Sequence, residues 1–443
     1  MSSTADIVQA NKEHTLVSWN MQGTWNPIPV ERGEGVYIYD TNGKRYLDWS
    51  SQLVNVNIGH SHPHVVKAIQ EQAAKLCYVD PGWATEPRGR LGEMLAEVTG
   101  LAKALFTNGG TDAVENAMKI ARLYTGKQKI FTRYKSYHGA TFASMSAGGD
   151  PRRIGNEPGV PWIVRMPDPY AYRNPIYRGI PQEEGDAILA DLIEDMVLME
   201  GPDTCAAILV EGYSGSSGVM QPTAVFFNRM REICNKYNML LISDEVMSGF
   251  GRTGEWFGIQ HYPQANADIM AMAKGITAGY VPLGATMISA PIAAYFDDHV
   301  LQTGLTYSAH ALATAAGVAT MEVYHRENLV ARSREMGKVL RRGLTDLAEK
   351  HPVIGDIRGA GLHHVIELVK SRETREPLSP WNKPLSDPMK KAAAALKANG
   401  LSTLVRWNYV FNTPPLTITE AQIAEGLAIL DTVLTELDSA YEG

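Results

Sequence analysis

Between about residue 60 and residue 325, short apolar runs alternate with longer stretches whose apolar residues recur at helical spacing, the mark of βαβ units around a mostly parallel sheet. The runs predict strands at 104–107, 130–133, 206–211, 239–243, 269–273 and 284–289, and the stretches between them predict helices at 112–124 and 226–237. Upstream, residues 35–48 read as two short strands joined at Asn42-Gly43, a pair that tolerates the positive φ of a tight hairpin. After residue 325 the chain turns to longer amphipathic helices, with one strand pattern at 356–369. Its last helix is the most sharply marked. Thr419 with Gln422 three positions on forms a capping box, and Ile423, Leu427, Leu430, Leu434 and Leu437 share one face. The segment 371–388, rich in proline and charge, reads as a surface loop.

A length of 443 residues allows two or three domains, or one large α/β domain with a smaller companion. With 44% hydrophobic and 20% charged residues the composition is that of a globular chain, which excludes wholesale disorder. Lys and Arg number 41 against 48 Asp and Glu, so the net charge of −7 offers no broad basic face to nucleic acid or to an anionic membrane. The apolar runs fall far short of the roughly 20 residues a membrane-spanning helix needs. Cys77, Cys205 and Cys234 are odd in number, widely spread and without a CxxC, which fits three small buried hydrophobes in a reducing compartment. The N-terminal MSSTADIVQANKEH contains acids and no apolar core, so it reads as neither a signal peptide nor a transit segment, and a cytoplasmic location is expected.

The candidate chemistry gathers at the ends of predicted strands. Asp244 closes the run Leu240-Leu-Ile-Ser243 and precedes Glu245, placing a carboxylate where open α/β sheets bind ligands. A Walker-type NTPase reading fails, because no Gly-Lys pair in the chain is followed by Ser or Thr. Gly249, Gly251 and Gly254 spell GxGxxG, but Gly258 and Pro263 occupy the stretch where a dinucleotide-cradling helix should begin. Lys274 ends the run Ile269-Met-Ala-Met-Ala273, with no other charge back to Asp268. Most lysines lie on solvated faces; one desolvated here would have a lowered pKa and the free amine that a Schiff base with an aldehyde requires.

Asn108-Gly109-Gly110-Thr111 joins a strand to a helix and reads equally as a phosphate cradle or an ordinary capped turn. Tyr137-His138-Gly139 follows another strand end, and Thr306-Tyr307-Ser308-Ala309-His310 forms a polar, aromatic loop. His60, His62 and His64 alternate, yet Pro63 interrupts them and no acid or cysteine at ligand spacing accompanies them, so loop and capping roles are expected and no metal. The nearest approach to a GxSxG elbow, Gly212-Tyr-Ser214-Gly215-Ser216, lacks the last glycine.

A phosphate turn, an aromatic after a strand, a strand-end acid and a desolvated lysine are together the parts needed to hold pyridoxal phosphate. Over nearly its whole length the sequence resembles the fold-type I pyridoxal-phosphate enzymes, and among them the class III aminotransferases. The resemblance is carried by YDTNGKRYLDW from Tyr39, NIGHSHPHVVKAI from Asn57, TNGGTDAVENAMK from Thr107, YHGAT from Tyr137, LLISDEVMSGFGRTG from Leu240, MAKGITAGYVPLGA from Met272 and PPLTIT from Pro414. It implies an α/β fold with a large, mostly parallel cofactor domain at 60–325. The smaller α+β domain would be assembled from 1–59 and 326–443.

By that resemblance Lys274 bonds the cofactor's aldehyde and shuttles the substrate proton, Asp244 pairs with the pyridine nitrogen, and Tyr137 and Val246 flank the ring. Gly110 and Thr111 match the phosphate turn, His138 the residue beside the stacked tyrosine, and Glu211 an acid behind the first layer, although Gly212 stands where the family usually has proline. Thr306 matches a threonine that reaches the phosphate from a neighbouring subunit, which implies a homodimer or a dimer of dimers. Arg406 falls where amine and ω-amino acid transaminases carry an arginine for the acceptor carboxylate, a surface arginine being the other reading. Trp25, Val54 and Trp83 come from pocket-lining segments, and a valine at position 54 implies a wider pocket than a large aromatic would leave. The implied reaction moves an amino group from an amine or ω-amino acid to a 2-oxo acid, most simply pyruvate, by a ping-pong route. The rivals are a non-transaminating relative (aminomutase, decarboxylase or phospho-lyase) and, from another class, a nucleotide-dependent oxidoreductase using the GFGRTG segment.

Overall fold

The computed structural model describes residues 3–443. Its strands are β1 (Val30–Glu34), β2 (Tyr37–Asp40), β3 (Arg45–Asp48), β4 (Lys103–Thr107), β5 (Lys129–Arg133), β6 (Ile163–Met166), β7 (Cys205–Glu211) and β8 (Leu240–Asp244). They continue with β9 (Ile269–Met272), β10 (Gly284–Ile288), β11 (Ile354–Ala360), β12 (His363–Leu368), β13 (Leu401–Ser402), β14 (Val405–Arg406) and β15 (Tyr409–Asn412). Seven of them form the central sheet in the order β4-β10-β9-β8-β7-β5-β6. Only β10 runs against its neighbours, pairing antiparallel with β4 and β9, so the carboxyl ends of the other six open on one edge. Every residue of β7, β8, β9 and β10 is buried, which is why these strands read as continuous apolar runs and not as alternating ones.

Two four-stranded sheets flank this body. One joins the N-terminal strands to a strand from the far end of the chain, β1-β2-β3-β13, and the other is β11-β12-β15-β14. The single strand pattern expected at 356–369 is in fact a hairpin. Gly359 near the end of β11 and Gly361 in the turn take positive φ, a conformation that glycine adopts without steric cost, and the run folds back on itself. The last helix spans Glu420–Leu437 with the Thr419 and Gln422 capping box formed, and Ile423, Leu430, Leu434 and Leu437 are buried. Strands β6 and β1 lack a sequence signal because they are edge strands, half-buried or exposed, with charges among their few apolar residues.

Arg252 joins these parts. Its guanidinium, fully buried, donates to the carbonyls of Leu362, Thr413 and Pro414, to Ser51 Oγ and to Asn57 Oδ1. Burial lowers its pKa to about 10. The GFGRTG segment is therefore a run of turns, with Gly251 and Gly254 at positive φ, that anchors the buried Arg252; no helix starts there to receive a dinucleotide.

Candidate active site

A cavity of about 290 Å³ opens at the carboxyl edge of the central sheet. Its wall brings together Val54, Gly110, Thr111, Tyr137, His138, Glu211, Asp244, Val246, Lys274 and Arg406, ten positions singled out in the sequence from seven separate segments. Strand ends deliver most of them. β4 leads through Gly109 into the helix Gly110–Thr125, β5 leads to Tyr137 and His138, β7 ends on Glu211, β8 ends on Asp244, and Lys274 follows β9 by two residues.

Lys274 is partly buried and has φ +45, a left-handed conformation uncommon for a side chain of this size and typical of strain held at functional sites. Desolvation lowers its pKa to about 8, with Asp244 and Glu211 pulling the other way. A neutral amine is thus available near physiological pH.

Both oxygens of Asp244 are held. Oδ2 lies 2.7 Å from His138 Nδ1, and Oδ1 accepts the Val246 backbone N–H at 3.0 Å. Asp244 and His138 are buried to within a few per cent, so this carboxylate faces the cavity with a fixed orientation. Behind it the fully buried Arg133 donates to Glu211 at 3.0 Å, and burial raises the Glu211 pKa against the pull of Arg133 and His138. Glu245, next to Asp244, accepts from Ser243, Ser248, Gly258 and Ile259, and so ties the following loop instead of serving the cavity.

The helix Gly110–Thr125 begins without a side-chain cap, leaving its first backbone N–H groups for an anion. Gly110 is required by close approach: a Cβ there would come within 2.8 Å of Val246 Cγ1 and fill the slot. Thr111 Oγ1 accepts from the Ala140 backbone at 3.0 Å, fixing the tyrosine loop against the helix start. An uncapped helix N-terminus, a buried carboxylate and a lysine of lowered pKa around one slot suit the phosphate, the ring nitrogen and the aldehyde of pyridoxal phosphate.

Several expected positions lie elsewhere. Trp25 is half-buried off the cavity wall, and Trp19, six residues earlier, takes the place expected of it. Trp83 is 67% exposed on a separate depression beside Arg88 and Phe106. Thr306, whose implied role is at a neighbouring subunit's site, is exposed and outside this cavity, its carbonyl accepting from Tyr78. Cys77 is exposed, against the expectation of three buried thiols, while Cys205 and Cys234 are buried. His60, His62 and His64 pair separately with Asp48, Glu327 and Glu322, His62 also caps its helix, and among the described residues no cluster suits a metal ion.

Asp150 and Arg152 were not among the residues expected at the site. Asp150 Oδ1 and Oδ2 accept from Arg152 Nε and Nη2 at 2.8 and 3.1 Å, and Arg406 Nη2 reaches Asp150 Oδ2 at 2.5 Å. The Arg152 guanidinium lies 3.8 Å from the centre of the Tyr137 ring. The one available signal was Asp-Pro before two arginines, a turn-forming pair that here starts a short 3₁₀ helix with Asp150 as its cap. Tyr213, Ser216, Met247 and Leu404 also line the wall.

Fold and site together define a pyridoxal-phosphate enzyme of the α/β type. The chain belongs to the family described as Aminotransferase class-III, which it matches over residues 20–434. The taurine–pyruvate aminotransferase of Bilophila wadsworthia is 33% identical, the match covering 99% of this chain and 98% of that one. The crystal structure of the taurine:2-oxoglutarate aminotransferase of Bifidobacterium kashiwanohense, in complex with pyridoxal phosphate and glutamate, is 40% identical with TM-score 0.96 and covers 99% of both chains. The ω-transaminase of Pseudomonas jessenii is 30% identical with TM-score 0.91, over 98% of both chains. The protein is an aminotransferase that uses pyridoxal phosphate to move an amino group to a 2-oxo acid.

Proposed function

We propose that the amino donor is an ω-amino acid or related amine with an acidic far end, taurine being the type, and that pyruvate is the acceptor. The observation carrying this reading is the pair of guanidiniums, Arg152 and Arg406, on the same wall as Lys274 and Asp244. Two arginines suit planar carboxylates and sulfonates through charge-assisted hydrogen bonds. A second reading, 2-oxoglutarate as acceptor, is favoured by Arg152, which supplies a cation for a second carboxylate, and by the taurine:2-oxoglutarate relative.

The cofactor supplies an aldehyde that receives the amino group and a ring that takes up an electron pair. In this reading Lys274 Nζ takes the proton from the amine-bearing carbon of the donor and returns it on the far side of the exchange. Asp244 would keep the ring nitrogen protonated, its own oxygens being fixed by His138 and Val246. Tyr137 and Val246 would flank the ring, and the Gly110 and Thr111 turn would hold the phosphate. Arg406 takes the substrate's acid group, so the same site serves the donor and the acceptor in turn.

The domain division at 60–325 against 1–59 with 326–443, a homodimeric assembly and a cytoplasmic location belong to the same proposal. The dimer is supported by the cluster of exposed Tyr78 and Tyr307 with half-buried His310 around Thr306, and by Leu53, which lines the cavity while 51% exposed.

The test is a half-reaction screen of the loaded enzyme with taurine, β-alanine, 4-aminobutyrate and carboxylate-free amines, following loss of the cofactor's visible band. Acid-bearing donors should bleach it fastest. Arg406→Ala should raise the KM for pyruvate at least tenfold and that for a carboxylate-free amine far less; equal losses on both would assign Arg406 a structural role.

A further inference from the structure

Asp150 is 3% exposed and sits between two cations that arrive from different parts of the chain. Arg152 comes from the same turn, and Arg406 comes from β14 at the edge of a separate sheet. The segment carrying Asp150 is pinned: its backbone N–H donates to Ser136 at 3.1 Å, and Gly149 packs so closely on Tyr134 that no side chain fits there. Both guanidiniums also rest on aromatic faces, Arg152 on Tyr137 and Arg406 on Trp407 with its charged carbon 4.3 Å from the ring centre. Arg406 Nε is buried without a partner, and among the described residues Asp150 is the one anion paired with this side chain.

We propose that Asp150 is a specificity-determining positioning residue, an internal stand-in for the acid group of the substrate. Resting on the functional reading above, this leaves the cluster of Arg152, Arg406 and Asp150 with a net charge of one positive unit. A substrate carboxylate or sulfonate then enters opposite that surplus charge and shares Arg406 with Asp150. When the far end of the substrate is uncharged, Asp150 keeps Arg406 compensated, since a buried guanidinium left without a counter-charge is costly. One fixed carboxylate thereby lets a single pocket accept both kinds of partner.

Asp150→Asn keeps the shape and removes the charge. In the loaded enzyme the variant should bind methanesulfonate or acetate, used as unreactive probes read by tryptophan fluorescence, about tenfold more tightly, the change expected for about 1.4 kcal/mol of relieved competition. Its KM for a carboxylate-free amine should rise about tenfold. The double variant Asp150→Asn, Arg406→Gln should recover the amine KM relative to Asp150→Asn alone, which a merely misfolded turn would not do. Unchanged anion affinity, or equal losses on charged and uncharged donors without recovery in the double variant, would overturn the proposal. Failure of every donor on the unaltered enzyme would instead overturn the functional reading, and the anion measurement stands apart from it.

Discussion

Lys274 lies two residues beyond a fully buried strand, in a left-handed conformation, beside the carboxylates of Asp244 and Glu211. Desolvation outweighs those carboxylates and brings the amine to about 8 from an ordinary 10.5. The rate at which cofactor-free protein forms a borohydride-trappable adduct with pyridoxal phosphate should therefore climb through pH 8 and level off above it. A rate flat from pH 6 to 9 would remove the lowered pKa. The Lys274→Ala variant should form no adduct, and an adduct retained on another lysine would displace Lys274 from its role. At this scale the sequence was legible where a residue ended an apolar run, as with Asp244 and Lys274, whereas Glu211 was picked out by resemblance alone. It was silent on Asp150 and Arg152, whose neighbours Arg406, Tyr137 and Trp19 come from remote segments and meet only in the fold.

Strand β12 shows how an element can carry a cost. His363 and His364 are buried within it, both lowered to about 3 chiefly by desolvation, and neither His363 ring nitrogen has a partner. Both are neutral in the fold and titrate near 6.5 when unfolded, so between pH 6.5 and 3 the unfolded chain binds more protons and stability falls as pH falls. Each histidine contributes up to a few kcal/mol of that loss, by roughly 1.4 kcal/mol per pH unit. His364→Asn should flatten the acid limb of urea-unfolding stability against pH, whatever it does to stability at neutral pH; an unchanged slope would mean that His364 does not titrate on unfolding. The same strand shows what patterns miss. His363-His-Val-Ile-Glu-Leu368 is buried along its whole length despite two histidines and a glutamate, because Glu367 is neutralised by Arg173 and Arg358 from other elements. Strands whose burial needed no such partners, β7 to β10, were read to within a residue or two.

For the whole molecule, the net charge of −7 excluded broad electrostatic partners and left the cationic wall of Arg152 and Arg406 invisible, since a local pair hardly moves a total. Assembly is the next level at which the account can fail. Tyr307, 58% exposed against Tyr78, lies at the centre of the proposed dimer face, and Tyr307→Asp should give a monomer by sedimentation that loses cofactor on gel filtration. A Tyr307→Asp protein that remains dimeric and retains its cofactor would move the interface elsewhere.

The central claim is an amino transfer in two separable halves. It is tested most directly by mixing loaded enzyme with excess taurine and no acceptor, then counting products per protomer. One carbonyl product per protomer, with the cofactor band lost, followed by one alanine on adding pyruvate, is the predicted result. Continued turnover without an acceptor would contradict it and return the chain to the lyases, decarboxylases and mutases that share its equipment.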